Sequence, residues 1–217
     1  MIGKEVFEES QKLLSPTIKG IFDSNVPYIG IYETVRWCLV WDDNCFITAT
    51  TSRETNVISV NMAFVWEAIR KNRLFEVEYF VIHEMRHVFQ HIQIKNYKEG
   101  KETSVDPELI KLWIKEGENY TPSVGRDGEE NSGYFKQGIE MDAYAFSFAV
   151  MHHKYSGRYD GSLYVPPIYK SELKKEYDDA VKDFSEHLQQ FQRKSPHLCL
   201  MGASHDGKLH VVPQLVI

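Results

Sequence analysis

The segment His83-Glu84-Met85-Arg86-His87 brings together the residue types that metal-assisted hydrolysis requires. Residues four apart project from one face of a helix, so both imidazoles can reach one ion. Glu84 follows the first imidazole and can stand beside a metal without binding it, where it can take a proton from water. The expected cofactor is one zinc ion per chain, because zinc brings the pKa of a bound water to near neutrality. Composition gives roughly 0.03 chance occurrences of this H-E-x-x-H spacing in such a chain, so its context has to decide. The segment falls in the strongest helical stretch, residues 75–95, where Val81, Met85, Val88 and Ile92 recur at steps of three and four.

Two histidines need a third protein ligand. His91 stands at the next step of four, but a straight helix puts it about 12 Å from His83. Ligands at i, i+4 and i+8 do not converge on one tetrahedral ion. The metzincin pattern of zinc peptidases places a glycine turn before its third histidine, whereas here Gln90 stands at that position and no histidine follows at the required spacing. His91 therefore reads as a hydrogen-bonded or solvent-facing helix residue.

A second segment carries a resemblance. Ile139-Glu140-Met141-Asp142-Ala143-Tyr144-Ala145-Phe146 matches the pattern E-x-x-A-x-x-[FY] at Glu140, Ala143 and Phe146. Together with H-E-x-x-H it resembles the gluzincin type of zinc metallopeptidase, nearest to the small bacterial and phage ImmA/IrrE-like enzymes. The resemblance covers roughly residues 27–155. It implies His83, His87 and Glu140 as metal ligands, Glu84 as general base, and a minimal zincin-like fold. Two features depart from it. Arg86 stands where many ImmA-like members carry glycine. The 52 residues between His87 and Glu140 exceed what that group usually has. The surplus, about residues 96–136, reads as an insertion over the cleft, either a lid or a plain surface excursion.

On the second helix Glu140 shares a side with Ala143 and Tyr144, and a small residue one turn on lets two helices approach. Without the histidine motif, Glu140 would read as a solvated helix carboxylate. Asp142 lies about 200° round from Glu140, which leaves it a supporting role, accepting the N–H of a ligand histidine. Tyr144 is a candidate donor to a developing oxyanion, or a buried core residue. His152 and His153 read either as an electrophile near the site or as surface residues at a helix end.

The elements that must position these residues read as α+β: a small twisted N-terminal sheet, the active-site helix, then C-terminal helices. A helix over 3–14 ends at Pro16. A strand follows at 27–33, and a hairpin joins 35–41 to 45–51 through Asp42-Asp43-Asn44. Residues 56–61 alternate as a half-buried strand, suited either to pair with an extended peptide or to lie inside the sheet. Asn61 caps a helix over 62–72, Asp106-Pro107 opens a short helix to about 115, and helices cover 138–154 and 171–193. Residues 125–133 read as an exposed loop, and the last 24 as irregular or a closing hairpin. Residues 1–155 form the core with its insertion, and 156–217 a helical extension of the same domain. Cys38 and Cys45 read as buried thiols.

The chain has 217 residues, 42% of them hydrophobic and 26% charged, which is a globular composition. A net charge of −6 leaves no basic excess for phosphates, so nucleic-acid binding is disfavoured. No apolar run approaches the roughly 20 residues that span a bilayer. The mixed, acidic N-terminus lacks a secretory pattern, so a cytoplasmic setting is expected. The leading expectation is a zinc-dependent hydrolase acting on a peptide or protein. The alternatives are a catalytically silent, zinc-stabilised interaction module and a helix that carries this spacing without a metal.

Overall fold

The structure, a computed structural model, describes residues 2–31, 34–43, 48–123 and 131–194. It is mixed α+β, mostly helical with one three-stranded sheet. Cys45, Cys199, the 125–130 part of the expected loop and the C-terminal tail lie outside the described residues. None of the described helices is long and apolar enough to cross a membrane.

Helix α1 spans Lys4–Ile29 and passes through both Pro16 and Pro27. It extends the expected short helix over 3–14 and takes residues 27–29 of the expected strand at 27–33, of which 32–33 lie outside the described residues. An interior proline costs about 3 kcal/mol. Here Leu14, Ile18, Ile21, Phe22, Asn25 and Ile29 form one continuous buried face, and burying it outweighs that cost. Gly30 ends the helix in the left-handed region, φ 74°.

Strands β1 (Arg36–Val40), β2 (Ala49–Thr51) and β3 (Val57–Asn61) form the sheet in the order β1-β3-β2. β3 pairs parallel with β1, Arg36 opposite Val57, and antiparallel with β2, Thr51 opposite Ile58. The hairpin is therefore β2–β3, closed by Ser52–Asn56, and β1 is not a neighbour of β2. β3 carries the fully buried Ile58 and Val60, which is why it takes the centre. Its place between two strands removes it as a site for an added peptide. Cys38 is exposed, with Sγ 3.5 Å from Ser59 Oγ, contrary to the buried reading.

Asn61 ends β3 and caps α2 (Met62–Arg70) by accepting from the Ala63 N–H at 3.0 Å. Helix α3 (Leu74–Lys98) runs through the interior with Val77, Val81, Ile82, Met85 and Phe89 buried. Asp106 caps α4 (Pro107–Glu118), whose Ile110 and Trp113 pack with Ile139 in a small separate cluster. Helix α5 (Gly138–Lys154) lies against α3 and buries Ala143, Ala145 and Ala149, and α6 (Lys170–Lys194) lies along α5 and α1. Leu173, Ala180, Phe184 and His187 form the buried stripe of α6.

His187 explains Gly30 further. Its Nδ1 lies 3.0 Å from the Tyr28 carbonyl, and a Cβ on Gly30 would meet its Nε2 at 2.5 Å. Gly30→Ala is expected to destabilise by about 2–4 kcal/mol through backbone strain and overpacking. Gly20→Ala, inside α1 with nothing within 4 Å, should be neutral or stabilise by about 0.5–1 kcal/mol. Urea denaturation of the two variants checks both directions.

Candidate metal centre

Three of the predicted side chains meet at one point. His83 and His87 stand one turn apart on α3, and Glu140 reaches them from the first turn of α5. His83 Nε2 is 3.0 Å from His87 Nε2, and Glu140 Oε2 is 3.3 Å and 3.4 Å from the two nitrogens. Four ligands placed tetrahedrally at zinc-type bond lengths are about 3.3 Å apart. His83 and Glu140 are 3% and 1% exposed, so water does not dissipate the arrangement. This buried His-His-Glu group could hold a metal ion.

The other hydrogen bonds of Glu140 and His87 are made by Oε1 and Nδ1, so that Oε2 and Nε2 face the shared point. Glu140 Oε1 accepts from the Tyr120 hydroxyl at 2.8 Å, while Oε2 is buried without a hydrogen-bond partner. Such an orphan is costly unless a cation meets it. Gln90 settles the tautomer of His87. Its amide nitrogen donates to the Ile139 carbonyl at 2.9 Å and to Asp142 Oδ2 at 2.6 Å. Its oxygen therefore faces His87 Nδ1, 2.7 Å away, and Nδ1 must be the donor. The neutral ring then presents its Nε2 lone pair to the shared point. His83 Nδ1 is buried and has no such partner, so the two histidines are supported unequally. The ring of Tyr144 packs edge-on against His83, with centroids 4.5 Å apart.

Asp142 does not accept from a ligand histidine, as the sequence suggested. It acts one residue further out, through Gln90. Arg86 grips the same carboxylate with two bonds of 2.8 and 2.9 Å and also pairs with Asp183 of α6. Its guanidinium lies over Phe89 and Phe146, 4.6 and 4.4 Å from their centroids. Burial opposes a charge there, but Asp142 and Asp183 hold Arg86 protonated. Arg86 thus ties α3, α5 and α6 together behind His83, His87 and Glu140.

The electrostatics favour positive charge at the shared point. Burial opposes ionisation of Glu140, yet His87 and His83 outweigh it and hold the carboxyl well below its usual range. Burial likewise opposes protonation of His87, but Glu140 raises it to about 9. Glu84 behaves differently. Burial raises its carboxyl above the usual range, against the opposing pull of His87 and His83. Its Oε2 accepts from Thr51 Oγ1 at 2.7 Å, so a strand at the sheet's edge fixes it beside the ligands.

The 96–136 segment contributes directly. Glu116 of α4 accepts from the Gly138 and Ile139 N–H groups at 2.8 and 2.9 Å, capping the helix that carries Glu140. Thr121 and Gln137 exchange two further bonds of 2.9 and 2.8 Å. The described part of the segment is thus a brace for α5.

His91 does not join the group. Its Nδ1 is 2.9 Å from Asn56 Oδ1, and burial with the nearby His87 and Arg53 lowers it to about 4. His152 hydrogen-bonds the Tyr177 hydroxyl and His153 packs on Phe184. Both stand roughly 18 Å along α5 from Glu140. Sequence reasoning missed Gln90, Thr51, Tyr120 and Glu116. Only Gln90 carried a signal, since it lies three residues from His87 on the same helix face.

Comparison with protein-family models, curated proteins and solved structures returns no match. Gln90→Leu is expected to weaken zinc binding about 10–100-fold, because it frees the tautomer of His87 and strands Asp142. Competition with a chromophoric chelator measures this, and unchanged affinity would remove Gln90 from the site.

Proposed function

We propose that this chain is a zinc-dependent peptidase of gluzincin type, with a zincin-like fold. The observation that carries the reading is the buried Oε2 of Glu140, which makes no hydrogen bond, converging at 3.3 and 3.4 Å with two histidine Nε2 atoms beside a strand-held Glu84. The residues fit zinc: two imidazoles, which a metal would hold neutral by displacing the proton Glu140 otherwise favours on His87, and one carboxylate, leaving a fourth position open. Zinc bound there would supply Lewis acidity toward a carbonyl and acidify a water.

The remaining work falls to the chain. Glu84, with its raised pKa and Thr51 on Oε2, takes the proton of the attacking water and then delivers it to the departing amine nitrogen. A base of intermediate strength suits both transfers. Strand β2 borders the site and lies at the edge of the sheet, so an extended peptide can align along it. The helix pairing α3–α5 keeps the ligands rigid during turnover, and Arg86 anchors that pairing from behind.

Zinc-loaded protein should cleave a mixture of unstructured peptides. Glu84→Gln should keep its zinc and lose about 10²–10⁴-fold in rate. Zinc binding with no cleavage by the parent, and no effect of Glu84→Gln, would favour a zinc-stabilised interaction module instead.

A further inference from the structure

The geometry points to Arg53 as the residue that selects the substrate, by pairing with a carboxylate from an acidic side chain or a peptide C-terminus. The inference rests on the peptidase reading above and adds a substrate class to it.

Arg53 follows the edge strand by two residues, just beyond the Thr51 that holds Glu84. Its guanidinium carbon lies 4.1 Å from the centroid of the Tyr120 ring, and the hydroxyl of that ring donates to Glu140 Oε1. These contacts place the cation within about 10 Å of the ligand carboxylate, a span of three residues of extended peptide. A chain lying along β2 with its scissile bond at the centre would bring a nearby residue to Arg53.

The guanidinium has capacity to spare. Arg53 is exposed and donates one bond to the Gly117 carbonyl. Arg70, Arg73 and Arg86 each pair with a carboxylate, whereas Arg53 has none among the described residues. A guanidinium carries five N–H donors, so a bidentate grip on a carboxylate remains open. Stacking on Tyr120 and the bond to Gly117 hold its plane before any ligand arrives, which lowers the ordering cost of binding. The chain as a whole carries −6 and repels an acidic peptide, even where zinc would balance Glu84 and Glu140. Arg53 turns that repulsion into attraction at one position.

The test uses the full zinc-loaded chain and a randomised decapeptide library, with free and with amidated C-termini. Glu84→Gln serves as the blank, and products are sequenced by mass spectrometry. Cuts by the parent should favour Asp or Glu over Asn or Gln by roughly tenfold at one position within three residues of the bond, if side chains supply the carboxylate. If the C-terminus supplies it, cuts should cluster near free ends and vanish with amidation. Arg53→Ala should abolish the preference and Arg53→Glu should turn it toward Lys and Arg, both with unchanged zinc content. As a binding readout, zinc-loaded Glu84→Gln should hold the preferred peptide about tenfold more tightly than its uncharged counterpart, less so in high salt. Glu84-dependent cleavage without a carboxylate preference, or with one that Arg53→Glu leaves intact, overturns the assignment to Arg53 alone. Absence of Glu84-dependent cleavage overturns the peptidase reading and this inference with it.

Discussion

A carboxylate on one helix has to meet two imidazoles on another, to within a few tenths of an ångström, in a dry interior. The elements packed around the site serve that encounter. Helix α5 packs directly against α3. The Arg86–Asp142 pair then fixes the relative position of the helices, with its two bonds directed by the planar fork. A buried pair of this kind adds little net stability, because desolvation offsets the Coulomb gain. Its value is in specifying one register of α5 against α3. Gln90 uses the same carboxylate to set His87, so helix position and ligand tautomer are controlled by one group.

The supporting elements divide the task. The edge strand supplies Thr51 to hold Glu84, and α4 supplies Glu116 to start α5 where Glu140 can meet the histidines. Tyr120 occupies Oε1 of Glu140 and so leaves the other oxygen facing His83 and His87. Burial pushes the Tyr120 hydroxyl upward, with the Glu140 carboxylate adding to it, so it stays a donor. The described part of the long segment between the two motifs is therefore tied to the start of the helix carrying Glu140 through Glu116, Tyr120, Thr121 and Tyr134.

Much of this was legible in the amino-acid order. The three- and four-residue apolar steps marked α3, and the spacing His83–His87 with Glu140 identified the residues that converge. The caps Asn61 and Asp106 marked the starts of α2 and α4. Local rules failed where distant contacts decided. Pro16 reads as a stop, but the buried face running from Leu14 to Ile29 carries α1 past it. Asp42-Asp43-Asn44 has hairpin chemistry, yet strand order follows the burial of Ile58 and Val60, which no turn signal encodes. Asp142 was visible as a supporting carboxylate, but its partners Arg86 and Asp183 come from two other helices. Thr51 and Tyr120 lie 33 and 20 residues from the side chains they bind, and nothing local marks them.

The central claim is that His83, His87 and Glu140 jointly hold one zinc. Elemental analysis of protein purified without chelator or added metal, beside Glu140→Ala, tests it most directly. The account predicts about one zinc per chain in the parent and a small fraction of that in a folded variant. A parent that takes up no metal even after reconstitution, or a variant that keeps its full zinc, would contradict it.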